Sequence, residues 1–182
     1  MITAAPRLPA ASTHTPDAAL PDTLRVRRAR SGDAAALVAL SEPFVGSGAL
    51  RRRPFDVYAA RAADFLVAEE PGGTLHGCLA LRVHPDAEPG VEPGTAAEGA
   101  GVLYNFCVAR QRQGGGLGAR LLGAALAGAR AQQLAALFTA TTGSGRLFLR
   151  HGFAPVPPGL APRAWARTLD PRRGARVLAR AL

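Results

Sequence analysis

Val102-Leu103-Tyr104-Asn105-Phe106-Cys107-Val108 is followed, after Ala109-Arg110-Gln111-Arg112, by Gln113-Gly114-Gly115-Gly116-Leu117-Gly118-Ala119-Arg120-Leu121-Leu122. The first stretch is a continuous apolar run of strand length. Glycines at 114, 115, 116 and 118 break it. Beyond them Leu117, Leu121, Leu122, Leu126 and Ala129 fall on one face of a helix over 117–133. Leu134 to Thr139 is again strand-like. The unit 102–139 therefore reads as strand, glycine turn, helix, strand. Glycine permits positive φ and leaves no Cβ in the way of a ligand. Successive backbone N–H groups in such a turn can converge, and the first amides of the following helix are unpaired. An anion is favoured at that helix end. The turn is thus either a pyrophosphate cradle that needs no cation or a plain, flexible glycine connection.

The flanks supply the other elements. Leu24 to Arg28 alternates and predicts a first strand. Ser31-Gly32-Asp33 predicts the N-cap of a helix from Ala34 to Leu40. Gly46 to Pro54 is a loop with Arg51, Arg52 and Arg53 in a row, before a short helix from Phe55 to Ala63. Asp64 to Glu70 and Leu75 to Val83, around Pro71-Gly72-Gly73, predict a hairpin. His84 to Gly101 is aperiodic and reads as a long loop. Ser144 to His151 predicts a short helix stopped by Gly152. Phe153 to Val156 starts a sixth strand, Pro157 to Asp170 is a loop, and Arg176 to Leu182 a last strand. This order is that of one mixed α/β domain over 23–182, after a leader, 1–22, expected to be disordered.

The net charge of +9 comes from 22 basic residues, all arginine. With Ala and Gly also abundant, this is a compositional bias, and few aromatics interleave with the arginines to stack bases, so nucleic acid is not the expected partner. No apolar run reaches the ~18–20 residues a membrane span needs. The first residues lack a continuous apolar core for a secretory signal, so the expected location is cytoplasmic. Cys78 and Cys107 lie in apolar strands, outside any C-x-x-C pair and without histidine at ligand spacing. Buried free thiols and no metal are expected.

Two common phosphate motifs fail. A Walker loop needs Lys-Ser/Thr after its last glycine, where this chain has Ala119-Arg120. The dinucleotide fingerprint needs a different glycine frame and an acid ~20 residues on, where Phe138 stands.

The stretch Val108 to Leu122 resembles motif A of the GNAT acetyltransferase superfamily, Gln/Arg-x-x-Gly-x-Gly/Ala after a strand. Arg146-Leu147-Phe148-Leu149-Arg150-His151-Gly152-Phe153 resembles that family's short helix ending in Gly-Phe. Order and spacing match over about 24–156. The resemblance implies a GNAT fold: a mixed, mostly antiparallel sheet of about six to seven strands with about four flanking helices and a splayed central strand pair. It implies acetyl-CoA as cosubstrate. Phe106, Cys107 and Val108 would meet the pantetheine arm as an added strand does. Gln113, Gly114, Gly115, Gly116, Leu117, Gly118 and Ala119 would hold the pyrophosphate. The Val108 amide would donate to the oxyanion as an amine attacks the thioester.

Many members carry a glutamate base near the start of the motif-A strand, where this chain has Val102 or Leu103, so the general base is not assigned. Glu69, Glu70, His84 and His151 are the nearby alternatives, each also readable as a surface group. Phe148 stands where many members have a tyrosine acid. Tyr104, the one tyrosine read as near the core, is expected to pack. Leu137 to Thr142, Phe148, and Asp170-Pro171-Arg172-Arg173-Gly174-Ala175-Arg176-Val177-Leu178 resemble the acetyltransferase domain of N-acetylglutamate synthases. Gly48 to Arg53 is similar to their loop before the second helix. That resemblance implies glutamate as acceptor, with Arg53 and Arg173 on its carboxylates, a task suited to planar guanidinium groups. Arginine runs are also ordinary solvated surface. Arg-Gly-Ala-Arg replaces the usual polar pair in the tail, and Arg146 and Leu147 replace residues that are commonly His and Trp. No amino-acid-kinase domain is read before the domain, so feedback by arginine through one is not expected. Other readings stay open: another small amine or a protein N-terminus as acceptor, or an acyl-CoA-binding regulator without catalysis. The oligomeric state is open too, a homodimer included.

Overall fold

The computed structural model describes residues 24–84 and 99–182. The expected leader and most of the expected loop after His84 lie outside them. The strands are β1 (Arg25–Arg28), β2 (Phe65–Glu69), β3 (Leu75–His84), β4 (Ala100–Val108), β5 (Ala136–Thr141), β6 (Ala154–Pro155) and β7 (Arg176–Ala181). The helices are α1 (Ala34–Gly46), α2 (Phe55–Ala60), α3 (Leu117–Ala131), α4 (Arg146–Arg150) and α5 (Arg163–Ala166). One seven-stranded sheet runs β1-β2-β3-β4-β5-β7-β6. Among the described residues only β4 and β5 pair in parallel, as the α3 crossover requires. The mixed, mostly antiparallel sheet is the one the resemblance implied.

Each face of the sheet has its own core. The stripe Leu121, Leu122, Ala125, Leu126 and Ala129 of α3 packs on Leu79, Leu103 and Leu137. On the other face α1 and α2 bring Leu37 and Tyr58 against Phe65, Val67, Cys78 and Ala80. Leu37, Leu79, Leu121, Leu122 and Leu137 are fully buried. Each such leucine contributes about 1.5–3 kcal/mol through the apolar surface it removes from water. A third cluster, Val102, Phe138, Ala161 and Val177, seats the segment around Trp165.

Several boundaries differ from the sequence reading, for physical reasons. Helix α1 passes Pro43 and ends at Gly46 rather than at Leu40. Pro43 has no N–H to donate to the Ala39 carbonyl, and the packing of Leu40 and Phe44 beside it on the sheet offsets that loss. Asp33 stands at the N-cap position of α1, but its side chain makes no cap hydrogen bond to that helix. Its carboxylate accepts the Arg30 amide at 2.7 Å and pairs with Arg27, closing the turn before the helix. Strands β3 and β4 extend into the expected loop, to His84 and from Ala100, because their pairing continues to His84↔Ala100. The expected loop 157–170 holds two short helical turns, Pro158–Leu160 and α5. Tyr58, read as outside the core, is its largest fully buried side chain, at 2% exposure.

Candidate active site

β4 has two partners at its start and one at its end. It pairs with β5 from Ala100↔Ala136 to Leu103↔Thr139, whereas β5 goes on with β7 to Thr141↔Arg176. From Tyr104 onward the β5 side of β4 is open. On the other side the β3 register jumps between Cys78↔Cys107 and Ala80↔Tyr104. Asn105 and Phe106 together face the single Leu79, and Asn105 sits at φ 50°. This is the splay that the resemblance implied, with a bulge beside it.

Strand alternation fixes which backbone groups face the gap. The Ala109 N–H donates to the His76 carbonyl at 2.8 Å, so it faces β3. Val108 therefore turns its N–H and C=O to the open side. Gln113 Nε2 donates to the Val108 carbonyl at 2.9 Å, tying the glycine turn to the strand end. Cys107 is different. It pairs with Cys78, and its side chain belongs to the core on the α1 face. Its place in the expected pantetheine set is thus the β3 side of the strand, away from the gap.

The turn itself has the conformation its glycines allow. Gly114 and Gly116 lie at φ 83° and 82°, with open space where a Cβ would point. In α3 the Arg120 amide donates to the Gly116 carbonyl at 3.1 Å. The amides of Leu117, Gly118 and Ala119 precede it in the first turn, so helix geometry provides them no partner. Gly118 lets the helix approach β4 closely, since a Cβ there would meet Leu147 at 3.1 Å and Phe106 at 3.5 Å.

Beyond the open edge of β4 lies a cavity of about 390 Å³. Arg53, Arg82, Arg173, Tyr104, His84 and Trp165 are among its walls. Arg53 and Arg173, distant in sequence, thus reach one site. Arg173 Nη2 donates to the carbonyls of Gly48 at 2.6 Å and Ala49 at 3.3 Å. The Arg53 guanidinium lies 4.8 Å from the Tyr104 ring centre, and that of Arg82 lies 5.4 Å from it. The Nε atoms of both arginines are buried without a hydrogen-bond partner. Burial pulls the Arg53 pKa below the usual arginine range, and the charges of Arg51 and Arg82 add to this. Burial, with Asp64 beside the hydroxyl, pushes Tyr104 up to about 12.

Tyr104 is therefore not plain packing. Its hydroxyl donates to Asp64 Oδ2 at 2.9 Å. Sequence reasoning missed Asp64, Arg82 and Trp165 as part of the site. Arg82 left a signal, a lone charge in the apolar run Leu79-Ala80-Leu81-Arg82-Val83. Of the four alternative bases only His84 lines the cavity. Glu69 is engaged by Arg27, Glu70 by His76, and the His151 ring contacts the Leu147 carbonyl. Phe148, in place of an acid, packs edge-on against Phe106 and Phe153. Among the described residues no three His, Cys, Asp or Glu side chains gather as a metal site, and no helix is long and apolar enough to cross a membrane.

Comparison with known proteins places this geometry. The amino-acid acetyltransferase of Neisseria meningitidis is 30% identical over 128 residues, covering 70% of this chain and 27% of that protein. That of Ralstonia nicotianae is 35% identical over 128 residues, 70% of this chain and 26% of the relative. That of Pseudomonas putida is 31% identical over 157 residues, 86% and 34%. The chain spans about a quarter to a third of the length of these relatives. Among solved structures, N-acetylglutamate synthase from Neisseria gonorrhoeae, complexed with coenzyme A and N-acetyl-glutamate, superposes with a TM-score of 0.73 at 28% identity, over 87% of this chain and 35% of that one. The Mycobacterium tuberculosis protein Rv2747, in complex with CoA and NLQ, gives 0.69 at 23% identity, over 87% and 99%, which speaks for the fold alone. The model of the acetyltransferase (GNAT) domain matches residues 61–155, more than half of the sequence and all of the splayed strand and glycine turn, and the chain belongs to that family.

Proposed function

We propose that the protein is an acetyl-CoA-dependent N-acetyltransferase whose acceptor is the amine of a small acidic amino acid such as glutamate. The observation that carries this reading is the cavity on which Arg53, Arg82 and Arg173 converge beside the open edge of β4. Acetyl-CoA would lie along that edge, with Phe106 and Val108 meeting its pantetheine arm and the amides of the 113–119 turn meeting its pyrophosphate. The neutral amine attacks the thioester carbonyl, and the Val108 N–H would donate to the developing oxyanion. The C–S bond breaks, the amine proton goes to base or water, and CoA leaves as a thiolate that needs little acid assistance. The guanidinium groups fix the acceptor through its carboxylates, which supplies orientation.

The related amino-acid acetyltransferases, and the N-acetyl-glutamate complex named above, support this acceptor. The test is thiol release from acetyl-CoA across a panel of amino acids. Turnover strongest with glutamate or another dicarboxylic amino acid is expected. Turnover confined to neutral or basic amines would refute the acceptor and leave acetyl transfer standing. A second reading is a binder of acyl-CoA without catalysis, favoured by Val102 and Phe148 at positions where many relatives carry Glu and Tyr. Calorimetric acetyl-CoA binding without turnover on any amine would select it.

A further inference from the structure

The acceptor cavity holds more positive charge than its carboxylates offset. Among the described residues Arg53 has no ion-pair partner, while the ion pair of Arg82 is the long contact to Asp64, at 3.7 Å. Two like charges have nevertheless been brought to one aromatic ring, at 4.8 and 5.4 Å from the centre of Tyr104. The negative face of a ring attracts each guanidinium and offsets part of their mutual repulsion, more so where water is excluded. The ring is fixed in turn by its hydroxyl, which donates to Asp64 at 2.9 Å from the short turn before β2. Tyr104 stands at the first position of β4 after the β5 pairing ends, so it is held by the rigid part of the sheet and presented to the splayed part.

We propose that Tyr104 is a specificity-determining positioning residue: its ring carries Arg53 and Arg82 side by side, so that the two guanidinium groups receive one carboxylate of the acceptor together. This rests on the acceptor reading above. The chemistry it selects is a planar carboxylate, which accepts hydrogen bonds from two donors at once. An amide or alcohol in the same place is neutral and leaves both guanidinium groups without an anion. The ring acts through the arginines. Its hydroxyl, already donated to Asp64, has no part in the transfer.

The test compares Tyr104→Leu, which keeps apolar bulk without the π face, with Tyr104→Phe, which keeps the ring and removes the hydroxyl. In steady-state assays Y104L raises the acceptor KM about tenfold or more, the equivalent of losing two buried cation–π contacts. It leaves the acetyl-CoA KM unchanged and lowers the preference for glutamate over glutamine. Y104F stays within about threefold of wild type. Calorimetric CoA affinity and thermal unfolding report whether each variant is folded. Should Y104L not fold, Tyr104→Met also removes the π face while keeping apolar bulk, and its acceptor KM should rise as far. An unchanged acceptor KM in Y104L overturns the proposal. So does a loss of kcat in Y104F as deep as in Y104L, which would make the hydroxyl a proton carrier. Wild-type turnover of neutral amines only also overturns it, while N-acetyl transfer stands. No wild-type turnover and no binding of glutamate or glutarate refutes both readings.

Discussion

Arg173 Nη2 donates to the Gly48 carbonyl at 2.6 Å, tying the turn before β7 to the loop that ends at Arg53. This bond joins the two segments from which sequence resemblance took the acceptor residues. Arg51 adds to it by donating to the Thr168 carbonyl at 2.7 Å.

Asn105 holds the bulge. At φ 50° it occupies a region that side chains other than Asn and Gly enter at some cost. Its amide donates to Ser41 Oγ at 3.0 Å and accepts from the Tyr58 hydroxyl at 3.3 Å. Asn105→Gly keeps the backbone and loses these bonds, whereas Asn105→Ala loses both. Denaturant unfolding should therefore show Asn105→Ala less stable than Asn105→Gly by about 1 kcal/mol. Equal stability would mean that the bulge does not depend on its backbone conformation.

Gly116 should resist substitution for a different reason. It caps α3 at φ 82° in open space, so the cost of a Cβ is conformational. Gly116→Ala should lose about 1–3 kcal/mol of stability or shift the turn. Calorimetry should then show weaker CoA binding with the acceptor KM unaffected.

Arg27 joins β1 to two acids, reaching Asp33 at 2.7 Å and Glu69 at 2.5 Å. Its hydrogen bonds hold both carboxyl groups below their ordinary pKa. A depressed carboxyl stabilises the fold above its unfolded pKa, near 4, and loses that contribution as pH falls through the lower folded value. Calorimetric melting should therefore be level from about pH 7 to 5 and fall below about pH 4. Arg27→Met should melt earlier at pH 7 and show a smaller acid decline.

The two cysteines face each other with sulfurs 3.5 Å apart, both buried and free. The neighbouring Cys107 thiol, and then burial, push Cys78 well above the usual thiol range. The same contact lowers the Cys107 thiol, so what shields the more reactive thiolate form of that residue is its burial. Iodoacetamide at pH 8 should modify neither cysteine in the folded protein and both in denaturant, as read by mass.

The βαβ unit was legible because its signals are local. A strand-length apolar run, four glycines and a helical leucine stripe each name their element without help from the rest of the chain. The splay was reached through resemblance, since no residue from Tyr104 to Val108 announces where β5 turns away. Strand order was out of reach, because β6 and β7 exchange places through contacts between distant segments. Arg53 and Arg173, named through resemblance, both line the cavity. Tyr104, Arg82 and Asp64 were not legible, because their roles exist only where three elements meet. The end of α1 was set at Leu40 for a related reason: its packing on the sheet, which carries it past Pro43 to Gly46, is not a local signal.

The central claim is best tested by steady-state thiol release from acetyl-CoA with glutamate, for wild type beside Arg173→Ala. Losing a charged hydrogen-bonding partner of a carboxylate costs about 1.5–3 kcal/mol. The account predicts wild-type turnover and an acceptor KM raised roughly 10- to 100-fold in the variant, with the acetyl-CoA KM unchanged. An acceptor KM unmoved by the substitution, or no turnover of any acidic amino acid by the wild type, would contradict it.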